Sequence, residues 1–110
     1  MIIDTHFHAF PKEYLDLVPE ISGTSARGDE HRAFNHREYL DVMDRYGVDI
    51  GVLSSTSAVI ERGGNREKAM RLCRVQNDSF ADAHAKHPRR FRSFARLPMV
   101  HMDDCVAEMQ

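Results

Sequence analysis

A chain of 110 residues suits one small domain, residues 1–110, and 42% hydrophobic against 29% charged residues is ordinary for a globular protein in water. A formal net charge of −2 gives no electrostatic reason to expect nucleic acid or an anionic membrane as a partner. No apolar run approaches the ~20 residues of a membrane-crossing helix, and residues 1–15 lack a signal-peptide pattern.

The first strand is expected over Met1–His8, where three apolar residues lead into His6 and His8. Alternate side chains of a strand share a face, so the two imidazoles point the same way and form a ready-made pair of metal ligands. The plainer reading is two histidines on a polar strand end, and a catalytic zinc needs ~3 protein ligands. Asp4 precedes them; alternation puts it on the face of His6, where it either orients an imidazole or serves a structural end.

Residues 13–19 read as a short helix bounded by Pro11 and Pro19, and residues 21–33 as a long polar loop. Asn35 and Glu38 have capping-box spacing; Tyr39, Leu40, Met43 and Tyr46 follow at helical intervals, and Gly47 ends the helix. Residues 48–55 form a second, nearly uncharged strand. Asn65 caps a helix running to about His87, with Ala69, Leu72, Cys73, Gln76, Phe80 and Ala83 as its buried stripe and Pro88 as its stop. A third strand is expected near residues 91–97, and Asp103 reads as the cap of a further helix.

Strict alternation of strands and helices implies a parallel sheet with helices on its faces. The two cysteines, Cys73 and Cys105, lack zinc-type spacing and read as reduced, buried thiols of a cytoplasmic protein. His31 and His36 read as solvated residues in or beside the first long loop, and His84 and His87, within one helix turn, could pair on its face.

Three stretches together resemble the amidohydrolase superfamily, in the amidohydrolase 2 branch with aminocarboxymuconate-semialdehyde decarboxylase and related aromatic-acid decarboxylases. They are residues 3–11 (IDTHFHAFP), residues 43–49 (MDRYGVD), and residues 77–81 (NDSFA) continuing through 87–91 (HPRRF) to 94–98 (FARLP). The resemblance implies an α/β fold: the N-terminal part, about three βα units, of a TIM-type (β/α)8 barrel of ~250 residues, with the site at the carboxyl ends of the strands. It implies that His6 and His8 ligate a divalent metal, zinc on this reading, and that the remaining ligands lie beyond Gln110. It also implies a structural role for His84 and His87 and a helix-leading loop for His101. Arg27, with Arg32 as competitor, loosely matches an arginine that grips a substrate carboxylate, a task suited to the two parallel bonds of a guanidinium.

The implied function is a metal-dependent carboxy-lyase acting on a small aromatic or unsaturated carboxylic acid. Two alternatives stand beside it: a metal-dependent hydrolase of a lactone or amide, and a non-catalytic barrel fragment. A barrel cut before closure leaves a strand edge unpaired, so the free chain is expected to be marginal unless it forms a homodimer or is completed by further residues.

Overall fold

The computed structural model describes residues 1–22, 32–55 and 65–110. Its elements in chain order are β1 (Ile3–His8), α1 (Lys12–Ser22), α2 (His36–Tyr46), β2 (Ile50–Ser54), α3 (Arg66–Lys86), β3 (Phe91–Ser93) and α4 (Met102–Met109). The strands form one sheet in the order β1-β2-β3, and both pairings are parallel. Among the described residues no helix is long and apolar enough to cross a membrane.

Local chemistry sets the helix ends. The Asn35 side chain accepts from the backbone N–H groups of Arg37 and Glu38, and Gly47 closes α2 in the left-handed region at φ 68°. The Glu38 carboxylate faces Arg32 at 3.4 Å, in place of the return bond to Asn35 that the capping-box spacing suggests. Asn65 caps α3 by accepting from Lys68 N–H. Two ends differ from expectation. Helix α1 runs through Pro19 to Ser22; its apolar face at Tyr14, Leu17 and Val18 packs on Ala69, Leu72 and Cys73, and this burial outweighs the one helix bond a proline cannot donate. Helix α4 starts after His101, whose carbonyl accepts from Asp104 and Cys105 N–H, so Asp103 lies inside the first turn.

Strand β3 is also shorter than the expected residues 91–97. Past Ser93, the backbone of Arg96 is bonded by a side chain: its N–H donates to Asn77 Oδ1 at 2.8 Å, and Asn77 Nδ2 donates to its carbonyl at 2.9 Å.

The core lies between the sheet and its helices. One cluster joins Ala9, Leu53 and Phe91 to Met43 of α2 and to Phe80 and Ala83 of α3. The expected stripe of α3 is the observed one, residue for residue. Helix α4 is tied to α3 by a two-bond pair, Arg66 Nε and Nη2 donating to Asp104 Oδ2 and Oδ1 at 2.6 Å each. That pair holds the Asp104 carboxyl below the usual carboxylate range.

Register decides which strand residues reach the core. Ile3 and Asp4 stand opposite Ile50 and Gly51, whereas Phe7 and His8 stand opposite Leu53 and Ser54. Thr5 and His6 together therefore face Val52, a bulge in β1. Phe7 lands on the helix side beside Leu53, and its ring covers Gly51 so closely that a Cβ there would collide with it. Gly51→Ala is accordingly expected to destabilise the chain by about 1–3 kcal/mol through overpacking. A urea melt comparing Gly51→Ala with Gly51→Ala/Phe7→Leu checks this: relief of crowding should restore part of the lost midpoint.

Candidate metal centre

The bulge reshapes the end of β1. The N–H of His6 donates to Asp4 Oδ1 at 2.9 Å. A donor displaced from the ladder by the extra residue is satisfied two residues back, in the manner of an Asx turn. Asp4 thus acts on the backbone of His6. Because the bulge intervenes, Asp4 falls in register with Gly51, in the helix-side column, and off the face of His6.

Beyond the bulge alternation resumes. Phe7 packs toward the helices, and the rings of His6 and His8 lie side by side with centroids 4.6 Å apart and planes inclined by 58°. His6 is exposed and His8 is half-buried. Two imidazoles at this separation fit one shared cation at metal–nitrogen bonds of about 2.0–2.1 Å. Neutral imidazole nitrogen suits a borderline divalent ion, so the donor set and the placement are compatible with a metal.

The chain leaves the sheet here under close control. Ala9 N–H donates to Ser54 carbonyl at 2.9 Å, the Tyr39 hydroxyl donates to His8 carbonyl at 2.9 Å, and Gln76 Nε2 donates to Ala9 carbonyl at 2.9 Å. Phe34 N–H then donates to Phe10 carbonyl at 2.8 Å, closing the return from the loop. Tyr39 and Gln76 read in the sequence as ordinary members of helix stripes. Only the polarity of Gln76 within an apolar row signals a further role.

The other candidates are spread out. Arg27 and His31 lie outside the described residues. Arg32 is exposed and faces Glu38. His84 is exposed, with Nδ1 at 2.9 Å from Phe91 carbonyl, which makes it a structural contact. His36 and His87 meet edge to face at 5.4 Å above Phe91, with His36 Nε2 3.9 Å from Asp82. His101 is the cap residue of α4. Cys73 is fully buried, and burial pushes its thiol up to about 11, so it is neither thiolate nor nucleophile at neutral pH. Among the described residues no group of three or more His, Cys, Asp or Glu side chains could hold a metal. A groove of about 970 Å³ among α1, α3 and α4 has charged walls, Glu13, Arg66, Arg71, Arg74 and Asp78 among them, and includes neither strand-end histidine.

A parallel β/α sheet with paired imidazoles at the carboxyl end of its first strand is how an amidohydrolase barrel begins. The chain belongs to that family: the family model described as Amidohydrolase, of the amidohydrolase 2 branch, matches residues 3–110. It is similar to the gamma-resorcylate decarboxylase of Rhizobium sp. (strain MTP-10005), at 30% identity over 109 residues, 98% of this chain and 33% of the relative. Among solved structures it superposes on a dihydroxybenzoic acid decarboxylase from Polaromonas sp. JS666, described with bound manganese and the inhibitor 2-nitroresorcinol. That match has a TM-score of 0.77 at 26% identity and covers 98% of this chain and 33% of the other. An amidohydrolase II structure shares the fold at a TM-score of 0.83 and 21% identity, over 97% of this chain and 35% of the other. The fold is thus the N-terminal part of a TIM-type barrel, and the chain spans about a third of the length of the curated relatives it matches.

His36, away from the strand end, has its own titration. Burial lowers the His36 pKa below its ordinary 6.5, with His87 and Lys86 adding to the effect and Asp82 opposing it. The unfolded chain then binds more protons between the two values, so this group's contribution is full above about pH 6.5 and is lost as pH falls through the folded pKa. His36→Asn should flatten the fall in urea midpoint between about pH 7 and 5 relative to the unaltered chain. Parallel slopes in the two proteins would remove His36 from the acid limb.

Proposed function

We propose that this chain supplies the first-strand metal ligands of a metal-dependent decarboxylase acting on a small aromatic carboxylic acid, with residues 1–110 as one incomplete barrel domain. The observation that carries the reading is the juxtaposition of the His6 and His8 rings at the carboxyl end of β1. Its chemical class rests on relatives that decarboxylate aromatic acids. His6 and His8 hold the ion. Asp4 holds the His6 backbone at the bulge, and Phe7 anchors the strand between them on the helix side. Arg27 keeps its place in the reading, through the resemblance alone, as the guanidinium that receives the substrate carboxylate.

A divalent cation, when bound, supplies positive charge against which substrate oxygens are polarised. In the reaction the bond from ring carbon to carboxyl breaks, CO₂ leaves, and the electron pair stays on the carbon, which then takes a proton. Zinc was the sequence expectation, and manganese is the ion of the Polaromonas relative, so both belong in the test. A cytoplasmic location and a homodimer formed through the open sheet edges complete the reading.

Metal titration of the purified chain and of its variants tests the ligand assignment. With two imidazoles where a catalytic site has ~3 protein ligands, binding of Zn²⁺ or Mn²⁺ should be weak. It should be abolished by His6→Ala or His8→Ala and unchanged by His84→Ala. Equal loss in all three would misplace the site. The 110-residue chain alone should release no CO₂ from 2,6-dihydroxybenzoate above background. A chimera joining it to the remaining two-thirds of the Rhizobium relative should release CO₂, in a manner dependent on both histidines. Opening of a lactone by that chimera without CO₂ release would favour the hydrolase alternative.

A further inference from the structure

We propose that Tyr39 and Gln76 are positioning residues for His8, acting through the two carbonyls at which β1 leaves the sheet. The inference rests on the reading of His8 as a metal ligand. It concerns residues that neither the histidine motif nor the ligand assignment includes.

The last ladder bond of this strand is Ala9 N–H to Ser54 carbonyl. Beyond it, at the carboxyl end of β1, come the carbonyls of His8 and Ala9, and a buried carbonyl without a donor is costly. Each is met by one donor from a different helix. The Tyr39 hydroxyl of α2 reaches His8 carbonyl, and the Gln76 amide of α3 reaches Ala9 carbonyl, both at 2.9 Å. The backbone on the carboxyl side of the His8 Cα is therefore held from two sides. An imidazole follows its backbone, and a metal ligand must be held to within about 0.5 Å of its productive place.

The two donors are built for this task. Gln76 is 0% exposed, in a stripe otherwise made of Ala69, Leu72, Cys73, Phe80 and Ala83. An apolar side chain there would bury no amide oxygen, whereas Gln76 buries Oε1 with no hydrogen-bond partner among the described residues. What the amide adds, and leucine could not, is the bond to Ala9. The Tyr39 ring packs against Phe7 at 5.2 Å and Phe34 at 4.7 Å, contacts that hold it where its hydroxyl meets the His8 carbonyl.

The test combines NMR of the full 110-residue chain with titration by Mn²⁺ and Zn²⁺. Tyr39→Phe keeps the ring and removes the hydroxyl; Gln76→Met keeps the volume and removes the amide. Asn65→Ala, which removes the cap of α3 and touches neither of the two carbonyls, serves as a control for general destabilisation. Both positioning variants should melt cooperatively, weaken the ring-to-ring NOE between His6 and His8 at least two-fold, and weaken metal binding by about 10-fold, the usual effect of losing a group that orients a ligand. Asn65→Ala should leave the NOE and the affinity unchanged. NOE intensities in Tyr39→Phe and Gln76→Met equal to those of the unaltered chain would overturn the proposal, as would an equal loss in Asn65→Ala. Should Gln76→Met lose its cooperative melt, Tyr39→Phe decides. A chain that binds neither metal, yet loses the NOE in these variants alone, would refute the ligand reading and uphold the positioning.

Discussion

One extra residue in β1, opposite Val52, sets the relation between core and candidate site. Without it the strand would alternate evenly, and Asp4 would share a face with His6 and His8. With it, Asp4 and Phe7 both fall in the helix-side column, three residues apart, while the two imidazoles remain together on the other side. The displaced N–H of His6 would be an orphan donor were Asp4 not there to accept it. Strand irregularity, carboxylate and histidine pair are thus one local solution, and the packing of Phe7 over Gly51 keeps it in register.

The two ends of the sheet are secured by different chemistry. At the amino ends of the strands the fastening is ionic: Arg90 donates to Asp44 Oδ1 at 2.7 Å and to Asp49 carbonyl at 3.0 Å, and Ile2 N–H donates to Asp49 Oδ2 at 2.6 Å. At the carboxyl ends the Tyr39 hydroxyl and the Gln76 amide hold the exit of β1, and the Arg96 guanidinium reaches Ser55 Oγ beyond β2. Neither donor to the exit of β1 adds a formal charge beside the imidazoles.

Where the sequence was legible, one local signal dominated. The stripe of α3 runs from Ala69 to Ala83 within a helix of 21 residues, long enough for its period to be unmistakable, and asparagine caps and a left-handed glycine mark ends through their own backbone chemistry. The histidine pair was legible because its spacing matches the strand period. What escaped depended on partners distant in sequence. Pro19 sits inside α1 because tertiary burial outweighs one lost bond, and the cap of α4 is a backbone carbonyl rather than the aspartate side chain. The bulge in β1 is visible only against β2. Tyr39 and Gln76 looked like stripe residues, since their bonds span 31 and 67 residues. Arg27 lies outside the described residues, and its role stays with the motif resemblance.

Asn77 gives the chain beyond β3 a property that strands do not usually have. Its amide presents an acceptor and a donor to the N–H and carbonyl of Arg96, the same pair of bonds that a neighbouring strand residue would exchange. The amide works as a surrogate strand one residue long, mounted on a helix. The same Nδ2 also reaches Glu108 of α4 at 3.0 Å. The path from β3 into α4 is therefore held by α3 as well as by β2, where Phe94 N–H donates to Leu53 carbonyl at 3.0 Å. A slight rotation of α3 would be felt at the entrance of the following helix, so successive βα units are mechanically linked through their outer layer as well as through the sheet.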